Sequence, residues 1–241
     1  PYNSTTMSDI EDQDQTAQGN DYYSQKRPLD EDNTGTAEGG DGPNHQLKKA
    51  RGEGPHVELR VLLQSKNAGA IIGKGGSNIK RLRADFKASV TVPDSNGPER
   101  ILTIGANLGT ALEVLLESLP LLEDYKDLDF DCEVRLLIHQ SQAGCIIGRA
   151  GFKIKELREE TGANIKVYSQ PAPQSTERIV AVAGKPTTVV NCIATIYDLL
   201  QTAPPKGYSS PYDPHNYDEY FSSDYGGFTF MDSTRGGREG D

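Results

Sequence analysis

The sequence predicts an α+β protein in which one unit, strand-helix-helix-strand-strand-helix (βααββα), occurs twice between two disordered tails. Three observations carry this. The 241-residue chain repeats itself at an offset of 75: Leu59-Arg60-Val61-Leu62-Leu63 falls on Val134-Arg135-Leu136-Leu137-Ile138. The same offset sets Gly69, Gly73, Gly76, Ile79, Lys80, Leu82 and Arg83 on Gly144, Gly148, Gly151, Ile154, Lys155, Leu157 and Arg158. Nearly all Leu, Ile and Val lie in two blocks, 57–119 and 133–202, each of net charge +2 although the chain totals −10. The acidity therefore belongs to residues 1–56 (−6), 120–132 (−4) and 203–241 (−4), and says little about what the blocks bind. A period of 75 exceeds the roughly 20 to 50 residues of solenoid repeats, so the simplest account is two copies of one domain.

The elements of the first copy follow in order. Val57 to Leu63 has strand composition, and Ala68 to Ile72 is a short apolar segment. Ser77 to Phe86 sets Ile79, Leu82 and Phe86 three and four apart, the spacing of a one-faced helix, with Ser77 as its expected cap. Val90 and Val92 alternate before a loop at Asp94-Ser95-Asn96-Gly97-Pro98, and Arg100 to Ile104 alternates again. Leu108, Leu112, Leu115, Leu116 and Leu119 form the stripe of a closing helix. The second copy repeats this at Glu133–Ile138, Phe152–Glu160, Asn164–Tyr168, Arg178–Ala183 and Thr187–Leu200. Glu99-Arg100-Ile101 matches Glu177-Arg178-Ile179 at an offset of 78, which puts three extra residues in the second copy's loop.

Cys132, Cys145 and Cys192 are too few and too irregular for a disulfide framework, and no C-x-x-C pair points to zinc or redox chemistry. A reducing compartment fits, with the nucleus and cytoplasm as the expected location. No apolar run approaches the roughly 20 residues of a membrane span, and the start lacks the basic-then-apolar pattern of a secretory signal. No membrane partner is expected. Position 1 is Pro and the last residues are Arg-Gly-Gly-Arg-Glu-Gly-Asp, so the chain reads as part of a longer one.

Each copy carries a glycine-rich tetrapeptide between two short helices, Gly73-Lys74-Gly75-Gly76 and Gly148-Arg149-Ala150-Gly151. Glycine opens backbone angles closed to other residues and removes the side chain that would hold a ligand away. The helix that follows points its first amides and positive dipole end at the loop, which favours an anion such as a phosphate. Lys74 and Arg149 add a full positive charge there. Other glycine motifs fail: Gly73-Lys74 lacks the following Ser or Thr of a P-loop, and adjacent Gly75 and Gly76 break the dinucleotide spacing. No nucleophile, base and orienter set recurs in both copies, and the four histidines do not cluster, so neither an enzyme nor a metal or other cofactor is expected.

In context, Ala70-Ile71-Ile72-Gly73-Lys74-Gly75-Gly76-Ser77-Asn78-Ile79-Lys80 and Cys145-Ile146-Ile147-Gly148-Arg149-Ala150-Gly151-Phe152-Lys153-Ile154-Lys155 resemble the I-I-G-x-x-G-x-x-I-K signature of the KH family, eukaryotic (type I) form. The resemblance implies a three-stranded antiparallel sheet packed on three helices in each copy. It implies binding of single-stranded RNA or DNA, with the loop clamping about four nucleotides of backbone. It further implies a base groove between the loop helices and the middle strand, lined by Ile71, Ile72, Ile79 and Val92 in copy one and Ile146, Ile147, Ile154 and Val167 in copy two. Gly69 and Gly144 open the motif. No aromatic stacking platform stands in it apart from Phe152.

Arg100 and Arg178 each follow a Glu at the start of the next strand, where the poly(C)-binding branch of the family uses an Arg to donate to cytosine; a narrow groove suits pyrimidines. Lys80, Arg83, Lys155 and Arg158 flank the apolar stripe, in reach of phosphates, although Arg83 and Arg158 also read as solvated helix residues. Cys145 reads as a small packing residue rather than a redox switch. The function this implies is selective binding of C-rich single strands in messenger RNA processing, stability, translation or transcription, with other RNA-binding and signalling proteins as further partners. The alternative is a scaffold of ribonucleoprotein complexes in which one copy has become a protein-docking surface.

The 13 residues 120–132 read as a flexible coil spanning about 20 Å. Two weak sites with Kd ~10 µM and an effective concentration of ~1 mM would reach ~0.1 µM for a two-site ligand. Residues 1–56 are acidic, Gly-rich and expected to be disordered, with a loose bipartite import signal in Lys26-Arg27 and Lys48-Lys49-Ala50-Arg51. Residues 203–241 hold 8 of the 17 Tyr and Phe among Ser, Asp and Gly, and are expected to form a disordered tail available for weak association or tyrosine phosphorylation.

Overall fold

The computed structural model describes residues 54–122 and 131–229. The expected import signal, the disorder expected of residues 1–53 and most of the linker lie outside the described residues. Each copy folds in the predicted order. The first comprises β1 (His56–Gln64), α1 (Ser65–Ile72), α2 (Ser77–Phe86), β2 (Ser89–Thr91), β3 (Glu99–Asn107) and α3 (Leu108–Ser118). The second comprises β4 (Cys132–His139), α4 (Ala143–Ile147), α5 (Phe152–Thr161), β5 (Asn164–Pro171), β6 (Glu177–Gly184) and α6 (Pro186–Thr202). The starts of the closing helices follow local rules. The Asn107 side chain accepts from the Thr110 amide at 2.9 Å to cap α3, and Pro186 opens α6 where its missing N–H costs nothing. None of the described helices is long and apolar enough to cross a membrane.

The two copies share one six-stranded antiparallel sheet of order β2-β3-β1-β4-β6-β5. Val61 pairs with Leu136 and Leu62 with Arg135. Val61 and Leu136 are also equivalent positions of the repeat, so a local two-fold axis passes between them, perpendicular to the sheet. Edge strands β1 and β4 thereby satisfy each other's backbone groups, which an isolated domain would leave open. Strand alternation sends Leu59, Val61 and Leu63, and Val134, Leu136 and Ile138, onto the helix side, where α3 packs against α6 in a core continuous across both copies.

The same alternation turns Leu62, Ile101, Leu137 and Ile179 to the opposite face, and there the expected disordered tail is corrected for residues 203–229. The segment crosses this face as a strap, through turns at Pro214–Asn216 and Glu219–Phe221 and a short helix, α7 (Ser222–Tyr225). Tyr212 and Tyr225, 2% and 1% exposed, complete a second core with those four residues and Ala172. A Tyr-rich segment has no core of its own, but it covers one that the two-domain sheet leaves bare.

Buried ionic groups fasten strap and copies together. Arg60 of the first copy forks onto Glu177 of the second, its Nε donating to Oε1 at 3.0 Å and its Nη2 to Oε2 at 3.1 Å. Arg60 also donates to the Tyr212 carbonyl at 2.9 Å, and the Tyr212 amide donates to Glu177 at 2.7 Å. The repeat-equivalent Arg135 donates to the carbonyls of Gly226 and Gly227 at 3.0 and 2.8 Å and lies over the Phe228 ring. Glu99, fully buried, accepts from the Tyr212 hydroxyl at 2.7 Å, the Tyr225 hydroxyl at 3.2 Å and the Phe228 amide at 2.6 Å. Burial raises its carboxyl pKa, and these three donors together with Arg135 oppose that shift.

Candidate nucleic-acid interface

The loops that join α1 to α2 and α4 to α5 have one backbone course. Gly73 (φ 74°, ψ 167°) and Gly148 (φ 70°, ψ 177°) occupy a region that glycine alone enters without strain. Space excludes a side chain as well: a Cβ on Gly73 would stand 2.7 Å from Asn78 Cγ, and one on Gly148 2.5 Å from Lys153 Cβ. Gly76 and Gly151 follow in the left-handed region and act as the N-caps of α2 and α5. Ser77 is therefore the first helical residue and not the cap expected of it. No side chain caps either helix, so the leading amides of α2 and α5 face the loop without a side-chain acceptor.

Side chains fix each loop differently. In copy one Asn78 Nδ2 donates to the Ala70 carbonyl at 2.8 Å, a brace that sequence reading missed because nothing marks an Asn as a loop tie. Lys80 folds back so that Nζ lies 3.3 Å from the Gly75 carbonyl, which sets its charge beside the loop. In copy two Lys153 stands where Asn78 does and pairs with Glu156 at 2.8 Å. Lys74, Gly75, Arg149, Ala150 and Lys155 are all exposed. Ala150 holds φ 51°, where the equivalent Gly75 has φ 62°. A left-handed Ala costs roughly 1–2 kcal/mol, against which Gly loses roughly 0.5–1 in chain entropy, so Ala150→Gly is expected to stabilise by roughly 0.5–1 kcal/mol. Denaturant unfolding checks this, and a lower midpoint would contradict it.

The proposed groove residues divide. Ile72, Val92, Ile147, Ile154 and Val167 are half-buried beside the loops. Ile71 and Ile146 are 0% exposed and Ile79 is 7% exposed, so these three belong to the core and do not line a groove, a correction to the reading of the Ile pairs. In each I-I pair one side chain points under the sheet and the next toward the loop, because adjacent helical residues face about 100° apart. Gly69 and Gly144 are exposed on the first helix of each copy, with open space where a Cβ would stand.

Residues 58–114 and 133–198 match the KH domain family, together just over half of the chain. The chain belongs to the KH domain family. Membership implies nucleic-acid binding, and both copies are KH domains of mixed α/β structure. Among solved structures, similarity is found to the a/eIF2alpha-aDim2p-rRNA complex from Pyrococcus horikoshii OT3 (21% identity, 62% of this chain and 88% of that one, TM-score 0.24). It is also found to Dim2p from the same organism (20% identity, 61% and 93%, TM-score 0.25). A third is described as KH domains (12% identity, 65% and 44%, TM-score 0.33).

The arginines of both KH domains are placed in register. Arg100 and Arg178 alternate with Leu102 and Val180, which puts them on the helix side of the sheet, while their neighbours Glu99 and Glu177 face the strap. Arg100 pairs with Asp94 in the preceding loop, and its buried Nε has no acceptor within the protein. Arg178 Nε donates to the Tyr168 carbonyl at 2.6 Å, and burial lowers its pKa. Arg83 Nε donates to the Val90 carbonyl at 2.7 Å and Arg158 Nε to the Ile165 carbonyl at 3.1 Å. Arg83 and Arg158 are exposed, as solvated helix residues would be, and each also ties its loop helix to the edge strand. Phe152, at the start of α5, is 73% exposed, an apolar ring beside the second loop where the first domain has Ser77. The Cys145 thiol donates to the Gln142 carbonyl at 2.9 Å, and burial pushes its pKa up, which disfavours the reactive thiolate.

Proposed function

We propose that this chain binds C-rich single strands of RNA or DNA, with each loop clamping phosphates and each half-apolar groove holding bases. The observation that carries this is the pair of loops whose first glycine tolerates no side chain, each followed by an uncapped helix start and bearing a cation at its exposed tip. Arg100 and Arg178 sit beside the grooves with N–H groups to offer to cytosine O2 and N3. Phe152 supplies the second domain with a stacking surface that the first lacks.

Pro211-Tyr212-Asp213-Pro214 and Asp224-Tyr225-Gly226-Gly227-Phe228-Thr229 resemble heterogeneous nuclear ribonucleoprotein K, of the poly(C)-binding branch. So do Leu62-Leu63-Gln64-Ser65-Lys66-Asn67-Ala68-Gly69 and Asp129-Phe130-Asp131-Cys132-Glu133, although the linker here is much shorter. On that likeness we place the protein in the nucleus and cytoplasm, acting on transcripts. Binding to the four homopolymers tests the reading: oligo(C) is expected to bind best. With about two phosphates neutralised per domain, log K should fall against log salt with a slope of about −1.4 per domain. Equal affinity for all four would remove the C preference, and no binding to any of them would favour the scaffold reading.

A further inference from the structure

The two proposed grooves lie at opposite edges of one sheet and run in opposite directions. Each is bounded by its loop helices on one side and by an edge strand on the other, β2 in the first domain and β5 in the second, with α2 packed on β2 and α5 on β5. β2 is antiparallel to β3 and β3 to β1, so β2 runs with β1. By the same steps β5 runs with β4. Since β1 and β4 are antiparallel, so are β2 and β5, as the two-fold axis between Val61 and Leu136 requires. A strand bound 5′ to 3′ along one groove therefore runs the other way along its counterpart. Five strand spacings of about 4.8 Å put the two edges about 24 Å apart.

Several contacts fix this arrangement. The β1–β4 pairing, the fork of Arg60 on Glu177 and the packing of α3 on α6 join the domains directly. The strap adds Tyr212, which reaches Glu99 of one domain and Glu177 of the other. It lies on the sheet face away from the helices and leaves both loops open.

We infer that the ligand which fills both grooves is one single strand that doubles back, two short tracts joined by a spacer long enough to cross the sheet. At about 3.4 Å per stacked nucleotide, 24 Å corresponds to about seven nucleotides. A continuous tract lying straight, or two tracts set close together, occupies one groove only. The inference rests on the nucleic-acid reading above and adds the geometry of the ligand.

The test uses the full chain and oligonucleotides with two C-tracts separated by unstructured spacers of about 2, 8 and 16 nucleotides, beside a single tract. The spacer of about 2 is expected to bind no tighter than the single tract, and the spacer of about 8 to gain about 10²-fold, declining slowly at about 16. Donor and acceptor dyes on the two outer ends should approach each other in the bound state at the two longer spacers. Asp substitution in either loop alone should abolish the gain and reduce the single-tract sites from two to one per chain. Arg60→Glu, which sets two carboxylates face to face, should loosen the interface and let the shortest spacer bridge as well. The greatest gain at the shortest spacer in the unaltered protein, or outer ends that move apart on binding, would overturn the geometry while leaving nucleic-acid binding in place. Failure of the single tract to bind would overturn the underlying reading and this inference with it.

Discussion

Replacing Lys74 and Gly75 in the first loop and Arg149 and Ala150 in the second by Asp is expected to weaken oligo(C) binding by more than about 100-fold without unfolding either domain. All four positions are exposed, and a Cβ at Gly75 meets nothing within 4 Å, so the folded state has room for the new side chains. Asp is among the residues that enter the left-handed region most readily, which limits the cost at Gly75 and Ala150. The electrostatic change is large. Two cations become four carboxylates at the helix starts, where a phosphate would otherwise meet positive charge and the positive ends of the helix dipoles. The sheet and helices are expected to give an unchanged circular dichroism spectrum. Unchanged affinity in that folded protein would remove the loops from the binding site.

Tyr225→Ala is expected to destabilise the two-domain unit by about 3 kcal/mol and to release the strap, because truncating a buried aromatic costs about 3–5 kcal/mol. Tyr225 is 1% exposed, packs against Tyr212 and donates to Glu99. Its removal opens a cavity and withdraws one of the donors that hold a buried carboxylate. Tyr225→Phe keeps the ring and loses only the hydrogen bond, for which about 1 kcal/mol is expected. Denaturant unfolding and limited proteolysis within residues 203–229 read the two effects separately. If the Ala variant resists protease as the parent does, the strap is not held by this contact.

The repeat made most of the fold legible. A period visible in glycines and aliphatics gave both domains, their element order and both loops, since Gly73, Gly76, Gly148 and Gly151 sit where the backbone or a neighbouring atom disfavours anything larger. The pairing of β1 with β4 and the strap were not read, although a signal exists. Val61-Leu62-Leu63 and Leu136-Leu137-Ile138 are unbroken apolar runs, and a strand with one wet face would alternate. Leu62 and Leu137 had to be covered by something, and the Tyr-rich segment that covers them looks like a polar tail by composition because its burial depends on a face built from two domains. Ile71 and Ile72 are indistinguishable by type, and only the turn of the helix settles which of them reaches the groove. Arg83 and Arg158 likewise reveal their tie to the edge strand only once β2 and β5 lie beside α2 and α5.

The most direct test of the clamp is an amide-resolved NMR titration of the protein with oligo(C). The largest shifts are predicted at Gly73 to Ser77 and Gly148 to Phe152, with smaller ones at Val92, Val167, Arg100 and Arg178 and none at Tyr212 or Tyr225. Shifts centred on the strap, with the loop amides unmoved, would contradict it.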